Sequence, residues 1–254
     1  MGPFSPFQAV EQFHLLFLAQ LGRRLEKKLS VLKGGCNLRF FHRSVRLSED
    51  LDLDVAGIGR HALQEKVRSL LASAAFAQIL SARTIVVTRV SEPKQTDTTQ
   101  RWKVGLGWGP SRSPLPTKIE FSRRGLDDDV GFGSVDPALV REYELPPLML
   151  SHYRSNAALS QKVGALANRR ELQARDVFDV HHLIARGADL SALRTLDPPD
   201  VERARTNALA IDFATFKSQV LAFLPPEDQH RYDSEAIWDT LVLEVADALR
   251  GNER

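Results

Sequence analysis

Three aspartates alternate with apolar residues in the segment Asp50-Leu51-Asp52-Leu53-Asp54. In an extended strand, side chains at alternate positions point to the same face, so the three carboxylates are predicted to lie side by side. Like charges at this spacing repel one another unless solvent or a cation neutralises them. Carboxylate oxygens are also the ligands that Mg²⁺ prefers. The segment therefore indicates a divalent-cation site on one face of a strand.

A diglycine, Gly34-Gly35, precedes the aspartates and follows a short strand-like run over 30–32. Glycine lets the backbone approach a ligand closely, as phosphate-binding loops require. We predict a glycine turn here, followed by a short helix over 37–43. A glycine turn beside strand-borne aspartates is typical of a site that holds a polyphosphate with a divalent metal, which is the outline of a nucleotidyl-transfer site.

Asp50 and Asp52 are the predicted metal ligands. Two metal ions about 4 Å apart would clamp the attacking hydroxyl and the leaving pyrophosphate of an in-line displacement. Glu120, on a predicted neighbouring strand, is the third acidic candidate, either as a metal ligand or as the group that activates the acceptor hydroxyl. A solvated strand face is the competing interpretation, and the diglycine and Glu120 argue against it. Asp54, one pleat further along, is either a fourth acidic residue of the site or the solvent end of the strand, and we favour the solvent end.

Ser48 and Arg46 come just before the aspartates. Their hydroxyl and guanidinium groups are suited to phosphate oxygens. Both residue types are equally common in turns, so the pattern leaves the two interpretations open.

A second group of charged residues lies on two predicted helices, Lys162 on the first and Arg175, Asp176 and Asp179 on the next. Asp176 and Asp179 are three residues apart and share a helix face. A lysine and an arginine that converge on a triphosphate would neutralise charge that develops in the transition state, with Asp176 ordering one of them. The alternative is a salt-bridge cluster between helices that stabilises the helical half of the chain.

The composition is that of an ordinary globular protein, with 254 residues, 43% hydrophobic and 26% charged residues, and a formal net charge of +2. A single cysteine excludes an intrachain disulfide and a multi-cysteine zinc site. No apolar run approaches the roughly 20 residues that span a bilayer, and the first residues lack a signal-peptide pattern. We therefore expect a cytoplasmic protein that does not bind a membrane.

Hydrophobic periodicity predicts an α+β protein, with an α/β core over residues 1–135 and a helical domain over 136–254. The predicted core has helices over 7–28 and 60–80, strands over 51–55, 84–90, 101–108 and 117–122, and loops over 92–100 and 109–116. The predicted helices of the second domain cover 138–143, 154–167, 171–185, 200–208, 213–224 and 234–249, and paired prolines separate several of them.

The segments LKGG at 32–35, LSEDLDLD at 47–54, KIE at 118–120, QK at 161–162 and RDVFD at 175–179 occur in one order. That order resembles the AbiEii-type nucleotidyltransferase toxins, a branch of the DNA polymerase β-like superfamily. The resemblance implies a minimal polymerase-β-like nucleotidyltransferase core with a mixed sheet, followed by a helical C-terminal region that completes the active site.

The resemblance also implies an activity, which is transfer of a nucleotide from an NTP to an acceptor with Mg²⁺, or Mn²⁺, as the cofactor. The expected acceptor is the 3′ end of tRNA, and its modification would block translation. A cognate antitoxin and a role in phage defence are expected with it. Nucleotidyl transfer to a protein or small molecule, and a catalytically silent nucleotide- or partner-binding module, stay open as alternatives.

Roles for individual residues follow from the same resemblance. Asp50 and Asp52 would bind metal, and Asp176 would be the essential late aspartate of the family. Contacts to the triphosphate are expected from Gly34, Gly35, Ser48 and Lys162, and the charge argument above adds Arg175 to them. Two positions depart from the family pattern, because Gln161 stands where Glu is common and Cys36 where Thr or Ser is usual.

Overall fold

A computed structural model describes residues 4–109, 111 and 113–250 of the chain. The chain divides into two compact units, the first formed by residues up to 41 and from 47 to 152, and the second by residues 42–46 and those from 153 onward. The boundary predicted at 135 is therefore too early, because a helix and a strand beyond it belong to the first unit. Residues 110 and 112 of the predicted loop over 109–116 lie outside the described part of the chain.

The first unit contains the strands and the helices that pack on them. Its helices are α1 (Pro6–Leu21), α2 (Gly34–Phe41), α3 (Arg60–Leu71), α4 (Ala74–Ser81) and α5 (Pro137–Glu142). Its strands are β1 (Ser30–Lys33), β2 (Asp50–Val55), β3 (Ile85–Gln95), β4 (Thr99–Trp108), β5 (Leu115–Ser122), β6 (Val130–Ser134) and β7 (Met149–Tyr153), and a 3₁₀ turn covers Lys27–Leu29.

The strands form one seven-stranded sheet in the order β3-β4-β5-β2-β1-β7-β6. The central strand β2 pairs antiparallel with β1 and parallel with β5. On one side β3, β4 and β5 form an antiparallel meander, and on the other β1 pairs parallel with β7. The predicted α+β fold with a mixed sheet is confirmed, and the strand that carries the alternating aspartates lies in its middle.

One face of the sheet is apolar. Leu51 and Leu53 of β2, Ile119 and Phe121 of β5, and Trp102 of β4 are at most 2% exposed and belong to one hydrophobic core. Helix α1 contacts β4, β5, α3 and α4 and contributes to the same core. Because neighbouring side chains on a strand point to opposite faces, the burial of these residues turns the aspartates of β2 to the other face.

The second unit is helical, as predicted. Its helices are α6 (Ser155–Asn168), α7 (Ala174–Ala185), α8 (Pro198–Leu209), α9 (Phe213–Gln219), α10 (Pro226–Tyr232) and α11 (Glu235–Arg250), with 3₁₀ turns at Leu190–Thr195 and Leu221–Phe223. The buried rings of Phe216 and Trp238 stack with their centroids 4.5 Å apart. None of the helices in either unit, as far as the chain is described, is long and apolar enough to cross a membrane.

Three differences from the predicted elements have local causes. The helix predicted over 60–80 is two helices, because the Ser73 hydroxyl accepts a hydrogen bond from the Phe76 amide and starts α4 anew. The predicted loop over 92–100 is a short turn between long strands. Strands β6 and β7 were not predicted, because β6 contains two glycines, which are depleted in strands, and β7 lacks a strict alternation of apolar and polar residues.

Candidate active site

The diglycine begins a helix rather than forming a separate turn. Strand β1 ends at Lys33 and α2 starts at Gly34, whose φ of +69° is the left-handed conformation that favours glycine. A Cβ added to Gly34 would lie 2.8 Å from Oδ2 of Asp52. The backbone of Gly34 therefore lies directly against the Asp52 carboxylate, and only glycine permits this approach.

The three predicted acidic residues lie on the same face of the sheet. In the parallel pair of β2 and β5, Asp52 is opposite Glu120 and Asp50 is opposite Lys118. Asp52 and Glu120 are therefore cross-strand neighbours, and Asp50 follows at the next position of β2 that shares their face. Within the described residues the side chains do not gather into a group of three metal-ligating residues, since two of the carboxylates are engaged by cations.

Those cations are Lys118 and Arg101. Lys118 Nζ lies 3.0 Å from Oδ2 of Asp50, and the guanidinium of Arg101 lies 2.6 Å from Oε2 of Glu120. Both pairs follow from the sheet register, because Arg101 on β4 is opposite Glu120 on β5. The signal in the sequence was the position of Lys118 two residues before Glu120, which places it on the same strand face.

Asp52 is different, because no cation of the described chain forms an ion pair with it. Burial raises the pKa of its carboxyl, and the neighbouring carboxylates of Asp50 and Glu120 raise it further, while Lys118 and Lys33 lower it. The net effect is a raised pKa, so ionised Asp52 is poorly compensated. Carboxylate oxygens are the ligands that a hard divalent cation prefers, so the uncompensated Asp52 is the acidic residue of this face most available to one.

The prediction that Asp54 is the solvent end of the strand was wrong. Asp54 is only 7% exposed, and its Oδ1 lies 2.5 Å from Nζ of Lys33. Strand β1 continues beside β2 as far as the pair Ser30 and Val55, so this end of β2 is covered. Asp54 forms a structural ion pair between the two strands.

The main chain of Asp50 is held from two sides. Its carbonyl oxygen accepts hydrogen bonds from the Ser48 hydroxyl at 2.9 Å and from the Cys36 thiol at 3.2 Å. The Ser48 hydroxyl thus has a backbone acceptor, where the sequence predicted a triphosphate. Cys36 is buried, and burial raises the pKa of its thiol well above the usual value, so it stays a neutral donor.

His14 and Thr117, which no sequence pattern indicated, continue this buried contact. The Thr117 hydroxyl donates to the Glu49 carbonyl at 2.6 Å, so at its 2.7 Å contact with His14 it accepts from Nε2–H. Nδ1 of His14 then faces the Cys36 sulfur at 3.5 Å. Burial lowers the pKa of His14 to about 3, which keeps the imidazole neutral.

The second charged group forms a buried ionic cluster within the helical unit. Lys162 Nζ lies 3.2 Å from Asp176 and 2.7 Å from Asp179, so the two aspartates do share a helix face. Arg169 also pairs with Asp176, and Arg46 makes two hydrogen bonds of 3.1 and 2.8 Å to Asp179. Burial raises the pKa of Asp179, but Arg46 and Lys162 outweigh it and hold the pKa at about 2.

This cluster matches the salt-bridge alternative that the sequence left open. It joins α6, which carries Lys162, to α7, which carries Asp176 and Asp179, and both carboxylates are fully buried. Arg46 is 4% exposed and is a member of the cluster. Asp176 does form an ion pair with Lys162, and its second partner is Arg169 rather than Arg175, which makes no ion pair within the described chain.

Several solved structures share the fold. MenT4, a nucleotidyltransferase toxin from Mycobacterium tuberculosis H37Rv, matches with a TM-score of 0.66 and 18% identity, over 95% of this chain and 82% of its own. JHP933 from Helicobacter pylori matches with a TM-score of 0.60 and 18% identity, over 96% and 90%. A putative nucleotidyltransferase from H. pylori matches with a TM-score of 0.58 and 19% identity, over 97% and 98%.

The family model described as "Nucleotidyl transferase AbiEii toxin, Type IV TA system" matches residues 16–242. The chain is therefore a nucleotidyltransferase. It belongs to the AbiEii family of toxins from type IV toxin–antitoxin systems, as the sequence resemblance predicted. No curated protein matches the chain.

Replacing Asp52 with asparagine is expected to stabilise the protein at neutral pH. Because the folded-state pKa of Asp52 is raised, its ionisation opposes folding, and an isosteric neutral side chain removes that penalty. The melting temperature should rise by roughly 2–4 °C per kcal/mol gained, and the gain should vanish as the pH falls through the raised pKa. Asp54→Asn is the control and should destabilise, because it breaks the pair with Lys33. An equal loss of stability in Asp52→Asn and Asp54→Asn would show that ionised Asp52 does not destabilise the folded protein.

Gly34→Ala is expected to lower the free energy of unfolding by more than the roughly 1–2 kcal/mol that a left-handed alanine costs, since its Cβ would also press on Asp52. Gly22→Ala is the matched control, because Gly22 is right-handed and its added Cβ makes only ordinary contacts. Urea denaturation measures both variants. Similar stabilities for the two would show that Gly34 is not needed for its conformation.

Lys162→Met is expected to lower the free energy of unfolding by about 3–5 kcal/mol, because it withdraws a cation from two buried carboxylates. Arg175→Met, the control on the next helix, should change it by less than about 0.5 kcal/mol. If Lys162→Met were as stable as the control in urea denaturation, the ionic cluster would have no structural role.

Proposed function

We propose that this protein transfers a nucleotide from an NTP to the 3′ end of tRNA in a Mg²⁺-dependent reaction and so blocks translation. The proposal rests chiefly on Asp52, a half-buried carboxylate without an ion-pair partner within the described chain, placed between Asp50 and Glu120 on one strand face. Membership of a nucleotidyltransferase toxin family supports the reaction class. The tRNA acceptor comes from the family resemblance alone, whereas the metal is also supported by the shared face of the three carboxylates.

Asp50 and Asp52 would hold the divalent ions, with Glu120 as the third oxygen donor. When bound, such ions neutralise the leaving pyrophosphate and lower the pKa of an attacking hydroxyl. The chain itself positions the two aspartates. Ser48 and Cys36 hold the carbonyl of Asp50, and the backbone of Gly34 lies against Asp52. A rigidly held donor set loses little freedom when the cations bind.

For the other predicted triphosphate contacts the structure supports different roles. Ser48 holds the Asp50 backbone and Lys162 is only 11% exposed between two aspartates. We propose that both act first as supports, Ser48 for strand β2 and Lys162 for the packing of α6 on α7. Arg175, half-exposed and without an ion pair in the described chain, is the residue of the helical unit most available to an anion.

A transfer assay tests the proposed function. The protein is incubated with each α-³²P-labelled NTP, Mg²⁺ and total tRNA, and labelled RNA is resolved on a gel. Wild type is expected to label tRNA, and Asp52→Asn to abolish labelling while the protein stays folded. Asp128→Asn, the same change at an exposed carboxylate, should label as wild type does.

The species that carries the label decides between acceptors. Label in protein or in small molecules, with none in RNA, would replace tRNA by that acceptor and keep the transferase. No label in any species, with every NTP, would contradict nucleotidyl transfer and favour a silent nucleotide- or partner-binding module. The antitoxin partner is implied by the family, and its mode of inhibition is a separate question.

A further inference from the structure

Cations border the acidic face on the side of β4 and β5. Lys118 on β5 is opposite Asp50 on one side and opposite Lys103 of β4 on the other. Arg101, next along on the same face of β4, is opposite Glu120. Cross-strand neighbours share a face, so these three cations and the two carboxylates form one continuous charged surface.

Two lysines directly opposite each other on neighbouring strands repel. In the structure Asp50 relieves this repulsion, because Lys118 Nζ lies 3.0 Å from its Oδ2. Lys103 is exposed and forms no ion pair with any described carboxylate. The pair of lysines is therefore compensated only as long as Asp50 is available to Lys118.

Asp50 cannot serve Lys118 and a divalent cation equally well. An ammonium group and a divalent ion compete for the same carboxylate oxygens and repel each other at this separation. A divalent ion at Asp50 and Asp52 would therefore release Lys118, which would then face Lys103 with no anion between them. Two adjacent lysines without a counter-ion are suited to phosphate oxygens.

We propose that Lys118 is an exchangeable counter-ion, which occupies Asp50 until a divalent cation displaces it and then binds phosphate of the substrate together with Lys103. The proposal rests on the proposed function, since it requires the cation at Asp50 and Asp52. The ligand is a phosphate oxyanion, supplied by the NTP or by the backbone of an RNA acceptor. Lys118 thus weakens binding of the divalent cation and strengthens binding of the phosphate.

The test is equilibrium binding to the full chain, first of Mn²⁺ alone and then, with Mn²⁺ present, of inorganic tripolyphosphate and of a labelled single-stranded RNA. Lys118→Met is expected to tighten Mn²⁺ binding and to weaken binding of at least one phosphate ligand, each by roughly tenfold. Lys103→Met should weaken the same phosphate ligand and change Mn²⁺ binding much less. Weakened tripolyphosphate identifies the NTP as the source, and weakened RNA alone identifies the acceptor backbone.

Three controls make the outcomes distinguishable. Lys28→Met removes a charge at a position that is 80% exposed and should leave all three affinities unchanged. Lys118→Arg keeps the cation and should bind Mn²⁺ as wild type does, and thermal unfolding verifies that each variant is folded. Mn²⁺ binding that Asp52→Asn does not weaken would overturn the proposed function, and this inference with it. Mn²⁺ binding that requires Asp52 but is not tightened in Lys118→Met would overturn the counter-ion role alone.

Discussion

The structure of the first unit depends on one electrostatic constraint, which is that carboxylates on the central strand β2 and on its neighbour β5 share one face of the sheet. The apolar residues of β2 and β5 determine this arrangement. Because they are buried on one face of the sheet, Asp50, Asp52 and Glu120 must lie on the opposite face. Repulsion among these ionised carboxylates destabilises the folded protein. Lys118 and Arg101 offset it at two of the carboxylates, and at Asp52 it remains.

The surroundings of β2 fit this constraint. Gly34 allows the start of α2 to lie directly against the Asp52 carboxylate. Two neutral donors, the Ser48 hydroxyl and the Cys36 thiol, hold the Asp50 main chain. His14 lies against the Cys36 sulfur behind these donors, and because burial keeps its imidazole uncharged it adds no cation under the strand. The side chains of Asp50 and Glu120 are thus held by cations, whereas the Asp50 main chain is held by neutral groups.

The features that could be predicted from the sequence are those that a local pattern determines. The alternation of β2 and β5, the glycines and the acidic residues are all local signals, and they were enough to indicate the fold class and the family. Contacts that depend on how distant segments pair in the fold were not predicted. Thr117 and His14 are 103 residues apart, and Arg101 meets Glu120 only through the pairing of β4 with β5. Asp54 was misplaced for the same reason, because the sequence does not show how far β1 extends beside β2.

The central claim is that Asp50 and Asp52 hold a divalent cation for nucleotidyl transfer. A crystal structure with Mn²⁺ and a non-hydrolysable NTP analogue, with anomalous diffraction to locate the metal, tests it most directly. Anomalous density is expected between the carboxylates of Asp50 and Asp52, with Lys118 no longer bound to Asp50. A triphosphate bound with its metal elsewhere, and the pair of Lys118 with Asp50 intact, would contradict it.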